Sequence, residues 1–204
     1  MALEDLRRIL TPPTKPADTG SPTAWAAAES ALGISYPPDF KKYIATYGSG
    51  TLSGVISVFN PISIDWTDAP TFAALPTSLD ALLGCLGPHG NAQDVWLYGL
   101  ASTLAVCEGF DSVVLPGSDG SVPVRLWPEL PGLFPWARGD AGQALLWWVD
   151  GTPESRPVVL ADPSEGLIAY PMTMAGFLAG WLDGSLRPAY LPPAGRPRFR
   201  REAT

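Results

Sequence analysis

Residues 21–50, SPTAWAAAESALGISYPPDFKKYIATYGSG, decide the fold. Ser21 places a capping hydroxyl ahead of Pro22 at the first helical position, and Gly33 closes the helix after Trp25, Glu29 and Leu32. Pro37 and Pro38 open a second helix, which carries Phe40, Tyr43, Ile44 and Tyr47 at i, i+3, i+4 and i+7 before Gly48 ends it. Two short helices in succession, each with one apolar stripe, must pack through those stripes. Trp25, Leu32, Phe40, Tyr43 and Tyr47 are therefore expected in one buried layer.

Upstream, Ala2 to Leu10 reads as a short helix with Leu3, Leu6 and Leu10 on one side, stopped by Thr11, Pro12 and Pro13. Residues 11–21, rich in Pro, Thr, Gly and Ser, read as a linker. Downstream, Val55 to Phe59 reads as a strand cut off by Asn60-Pro61, and a helix is expected over about 69–86. β-branched and aromatic residues then predict strands at Val95–Tyr98, Thr103–Cys107, Ser112–Leu115, Val122–Trp127, Ala144–Val149 and Pro157–Leu160. Ser118-Asp119-Gly120 and Asp150-Gly151 supply turns. Met174 to Leu182 predicts a last helix, and the arginine-rich stretch beyond Arg187 is expected to be extended or loose. Helices, then strands, then a helix give an α+β fold, a mixed and mainly antiparallel sheet with N-terminal helices and a C-terminal helix packed against it. The expected organisation is a helix and linker over 1–21, one globular domain over 22–190, and a basic tail over 191–204.

Composition bounds what this chain can do. Of its 204 residues 46% are hydrophobic and 16% charged, well below the ~25% charged of an average domain, so a real core is expected. The 23 prolines and 21 glycines keep regular elements short and exclude a long helical bundle. Glu4 and Asp5 stand where a secretory signal needs basic residues, and the purest apolar run, Ala144–Val149, is too short to span a bilayer. A cytoplasmic protein with no membrane contact is expected. Residues 43–186 hold 14 acidic residues against Arg125, Arg138 and Arg156, a net charge of −11. Such a body repels nucleic acid and favours encounter with a basic partner, although the same charge also serves solubility.

The residue types that carry catalysis are scarce. His89 is the single histidine and lies in a Gly-Pro-His-Gly turn, so no multi-histidine metal site is available. Cys85 and Cys107 lack C-x-x-C spacing and read as small core residues. Lys15, Lys41 and Lys42 leave the body without a lysine for Schiff-base or phosphate chemistry. The glycines around Gly48 and Gly50 follow a helix rather than a strand and match neither a phosphate loop nor a nucleophile elbow. No catalytic residue, metal or cofactor is predicted, and carboxylate pairs of a glycosidase type stay open because spacing alone cannot place them. Among eight tryptophans, adjacent Trp147 and Trp148 on one strand must point to opposite faces. Packing in two core layers is the simpler account; an interface anchor is the alternative.

The order Trp25-x-x-x-Glu29-x-x-Leu32-Gly33, Tyr36-Pro37-Pro38-Asp39-Phe40, Tyr43 and Tyr47-Gly48-Ser49-Gly50 resembles the opening of the SUKH superfamily, which includes bacterial immunity proteins and the yeast Smi/Knr cell-wall regulator. Leu133-Phe134-Pro135-Trp136, Gly142 to Trp147, Pro157-Val158-Val159, Phe177-Leu178, Leu182-x-Gly184 and Pro188 continue it to about residue 190. Gln143 stands where similar proteins carry an aspartate after the glycine. The resemblance implies a mixed sheet with helices against it and a non-enzymatic protein-binding role, most often neutralising a cognate toxin from competing bacteria. An acidic body suits a basic toxin, nucleases being the commonest basic class. The alternatives are an intracellular regulatory scaffold and a carboxylate-dependent hydrolase. The expected partner face is the segment carrying Trp136, Asp140, Trp148, Asp150 and Glu154, an aromatic anchor within a rim of carboxylates.

Overall fold

A computed structural model describes residues 2–67, 75–76, 78–85 and 91–201. His89 and residues 69–74, 77 and 86 of the helix expected over 69–86 lie outside these residues; of the rest, Leu79–Cys85 is helical. The first helices follow the local signals closely. α1 (Ala2–Ile9) precedes α2 (Pro22–Leu32), whose start is fixed by Ser21 Oγ accepting from the Ala24 amide at 3.2 Å and whose end is Gly33 at φ 66°. α3 (Pro38–Tyr47) ends at Gly48, where a β-carbon would stand 2.0 Å from the Ala17 carbonyl oxygen. Glycine is required there because its φ is +69° and because residue 17 bridges directly to residue 48.

The strands β1 (Gly50–Leu52), β2 (Ile56–Val58), β5 (Gly132–Gly139), β6 (Ala144–Val149), β7 (Val158–Asp162), β8 (Gly166–Tyr170) and β9 (Phe199–Arg201) form one sheet in the order β8-β7-β6-β5-β2-β1-β9. Its ladders are antiparallel, and isolated parallel bridges join Ala17 to Gly48 and Leu126 to Leu133. β3 (Ser112–Val114) and β4 (Ser121–Pro123) form a separate hairpin, with β3 against β8. The architecture is therefore the α+β arrangement expected from the chain.

One face of the sheet receives α1, α2, α3 and α6 (Met174–Asp183). Phe134, Trp136 and Trp147 point to it, and the ring of Phe40 meets Trp147 edge-on at 5.1 Å while Phe177 meets Trp136 at 6.5 Å. Trp25, Leu32, Phe40, Tyr43 and Tyr47 all lie buried in this layer. α1 packs on α6, and residues 191–201 fold back so that Leu191 and Ala194 are buried and β9 pairs with β1. Both terminal stretches are thus joined to the body of the fold.

The second face is covered over only part of its width. α4 (Leu79–Cys85) and α5 (Ala92–Leu104) lie in this layer, and α5 packs on β5. The one-turn helix Ala105–Cys107 that follows packs against β7. Here the structure corrects the sequence: Val95–Tyr98 and Thr103–Cys107 are helical, not extended. The reason is tertiary. Leu97, Leu100, Ala101 and Leu104 recur at i, i+3, i+4 and i+7 and are all buried, while Asn91 Oδ1 caps the helix by accepting from the Asp94 amide at 3.0 Å.

Candidate functional site

The five residues expected to form a partner face do not form one. Trp136 is fully buried, stacked on Trp147 with ring centroids 6.0 Å apart, and Trp148 is only 7% exposed. β6 is an interior strand with both faces covered, so neither face offers an open tryptophan. Asp140, Asp150 and Glu154 are exposed, but Asp140 sits in the β5–β6 turn, where its amide donates to the Val55 carbonyl at 2.8 Å. Asp150 follows the far end of β6, and at ~3.4 Å per residue the strand separates the two carboxylates by roughly 20 Å. What remains of the expected face is its carboxylates, placed beyond the two ends of β6.

A recess opens where the second face is left uncovered. In register across four strands, Arg138 of β5 faces Ser57 of β2, Ser57 faces Thr51 of β1, and Thr51 faces Arg200 of β9. These side chains share one face, opposite that of Leu52, Ile56 and Val58. The Thr51 and Ser57 hydroxyls lie 3.3 Å apart, and neither Arg138 nor Arg200 forms an ion pair among the described residues. α5 stands beside this polar floor as a wall. Between them lies a cavity of about 440 Å³ lined by Ser57, Phe59 and Arg138 on the sheet side and Val95, Tyr98 and Ser102 on the helix side.

The back of the cavity is held rigid by a satisfied polar network. Buried Asn60 donates through Nδ2 to the Asp18 carbonyl and to Ser49 Oγ, both at 2.9 Å, while its Oδ1 accepts from the Ile62 amide. Ser49 Oγ donates to the Asp18 carboxylate at 2.8 Å. These bonds fasten residues 17–18 to the start of the sheet, and they leave Asn60 with little capacity for a ligand. Among the described residues the lining carries hydroxyls, one guanidinium and aromatic surface, with no carboxylate, histidine or cysteine. Such a lining binds carbonyl, carboxylate and apolar groups through hydrogen bonds and packing; it holds no general acid–base pair.

Other reactive groups are held neutral by burial. Desolvation pushes the Cys107 thiol up to about 12 and raises the Tyr36 and Tyr43 hydroxyls well above their ordinary value, Glu29 adding to the effect on Tyr36 and Tyr47 to that on Tyr43. Among the described residues no group of His, Cys, Asp and Glu is placed to hold a metal ion, and no helix is long and apolar enough to cross a membrane.

Val95 and Tyr98 escaped sequence reasoning because 95–98 looked like a strand, which hides that they are i, i+3 neighbours on a helix, and Arg138 escaped it because it lies on β5, which was not read as a strand. The Asn91 cap and the stripe at 97, 100, 101 and 104 were the signals that could have found them. Compared with known proteins, the chain matches no family model, no curated protein and no solved structure.

Proposed function

We propose that the chain is a non-enzymatic protein-binding module of the bacterial immunity-protein type, acting in the cytoplasm and seating part of a cognate toxin in the recess between α5 and the open half of the sheet. One observation carries this. Val95 at 61% and Tyr98 at 53% are two of the three large hydrophobic residues exposed among those described, and both line the same cavity beside Arg138. Tyrosine and arginine are enriched at the centres of protein interfaces, and an exposed apolar pair on a rigid helix marks a contact surface. The net charge of −7 supports a basic partner, since it raises the encounter rate with a cationic surface such as that of a nuclease toxin. Arg138 is the local exception and would meet a carbonyl or carboxylate of that partner.

The test is affinity capture from the native cell lysate, the partner identified by mass and its kinetics measured against variants. Tyr98→Ala and Val95→Asp change exposed positions, so each should alter folding stability by no more than about 0.5 kcal/mol while speeding dissociation of the complex. Association should slow with added salt, as the Debye length contracts from about 10 Å toward about 3 Å. Asp140→Lys combined with Asp150→Lys should slow it further. A captured partner that binds Tyr98→Ala and Val95→Asp with unchanged kinetics would exclude the recess as the contact. Turnover of a glycan or nucleotide, lost on substitution of a carboxylate, would instead make the chain a hydrolase.

A further inference from the structure

Arg156 lies in the β6–β7 connection and is 7% exposed, yet it forms no ion pair among the described residues. Its Nη1 donates to the Ser35 carbonyl at 2.6 Å, and its Nε is shut off from solvent with no acceptor among the described residues. Glu29, whose field reaches Arg156, makes no ion pair with it; its Oε1 pairs with Lys41 Nζ and accepts from the Tyr36 amide, each at 2.7 Å. A buried guanidinium left this way is costly unless an anion completes it. Burial lowers its pKa from the ordinary guanidinium value, against the opposing fields of Glu154, Glu29 and Tyr36.

The unbonded edge of the guanidinium is the informative part. With Nη1 committed to Ser35, Nε and Nη2 remain, and these two N–H groups lie side by side in the geometry that grips both oxygens of a carboxylate. Arg156 lines a cavity of about 280 Å³ together with Pro116, Pro157, Pro171, Met172 and Thr173. That size is near the lower end of small-molecule sites, and the prolines and methionine give it apolar walls. Thr173 caps the N-terminus of α6, whose positive end therefore adjoins the cavity, offset in part by the Asp39 carboxylate that accepts from the Ala175 amide at 2.9 Å. Among the described residues Glu154 is the one carboxylate in the lining, and it disfavours a dianion more than a monoanion.

We propose that this cavity binds a small monocarboxylate with an apolar body, its two oxygens forked on Nε and Nη2 of Arg156. The body of the ligand lies among Pro116, Pro157, Pro171 and Met172, and seating it requires a small shift of this lining that uncovers Nε. The site is independent of the recess beside α5.

Titration of the full chain with benzoate, with its neutral isostere benzamide and with inorganic phosphate tests this by calorimetry and by the shift of backbone amide resonances. Benzoate should bind saturably at one site, shifting the amides of 154–156 and 172–174, and benzamide and phosphate should do neither. Arg156→Lys keeps the charge but not the fork and should weaken benzoate about tenfold. Because substitution of a buried arginine can also impair folding, Glu154→Gln at an exposed position is the second variant. It removes the competing carboxylate and should tighten benzoate about threefold. Absence of saturable benzoate binding in both the natural chain and Glu154→Gln overturns the proposal. So do equal binding of benzamide, phosphate binding in place of benzoate, or unchanged affinity in a folded Arg156→Lys.

Discussion

Tyr43 and Tyr47, one turn apart on α3, have buried hydroxyls in opposite states, so one chemical change should have opposite consequences at the two positions. Their rings stack with centroids 5.0 Å apart, and both side chains are wholly inaccessible. Tyr47 Oη donates to the Leu10 carbonyl at 2.8 Å, just past the end of α1, where helix carbonyls lack partners of their own. Tyr43 Oη has no partner among the described residues. Tyr47→Phe removes a hydrogen bond and strands a buried carbonyl, a loss of about 1.5 kcal/mol. Tyr43→Phe removes a hydroxyl that had been desolvated without compensation, a gain of up to about 0.5 kcal/mol. The void left by one oxygen is similar in both and drops out of the comparison. A gap of about 2 kcal/mol corresponds to roughly 6 °C in melting temperature for a chain of this length. Urea unfolding near neutral pH, with unchanged m-values, measures the gap directly. If Tyr43→Phe costs as much as Tyr47→Phe, the unpartnered state of Tyr43 is wrong and with it the packing of α1 on α3.

The same tyrosines predict an alkaline limit. Desolvation lifts Tyr47 to about 12, Arg7 opposing and Glu4 adding, above an unfolded value of about 10. A raised folded pKa stabilises the protonated protein, so this contribution is complete below about pH 10 and disappears as pH climbs through about 12. Tyr47→Phe should flatten that part of the stability profile. Gly48→Ala sets a β-carbon 2.0 Å from the Ala17 oxygen at a φ of +69°, and should cost about 3 kcal/mol in a urea titration. Cys107, fully buried and with its thiol near 12, should resist iodoacetamide at about pH 8 in the folded chain and react once guanidinium unfolds it, as peptide mass mapping would show.

Where structure is decided by neighbours in the chain, the residues declare it. Ser21, Gly33, the Pro37-Pro38 pair and Gly48 bound α2 and α3 by capping and backbone geometry alone, and Ala144–Val149 forms a strand from end to end. Where tertiary contacts decide, local preference misleads. Val95-Trp96-Leu97-Tyr98 has the composition of a strand, and it becomes helix because the stripe through Leu97 and Leu104 is buried in the layer that packs on the sheet. β5 hid for a different reason. Pro135 interrupts its interior, which argues against a central strand, and the chain accommodates it through the register shift between Pro135 and Ala137.

The candidate recess was illegible because no single segment contains it. Arg138, Ser57, Thr51 and Arg200 come from four strands; the first three align through the β5–β2 and β2–β1 ladders, and Arg200 joins them because β9 pairs with β1. The wall beside them comes from the insertion between β2 and β5. That insertion covers β5 through α5, β7 through the turn after it, and β8 through the β3–β4 hairpin. Burial on both faces explains why the tryptophans of β5 and β6 cannot be anchors, and it leaves polar side chains of the β9-β1-β2 half open beside α5. Arginines on the edge strand β9 also discourage another chain from extending the sheet there. A partner is thereby directed to the face beside α5, so the covering that removed the expected anchors is also what supplied Val95 and Tyr98 in their place.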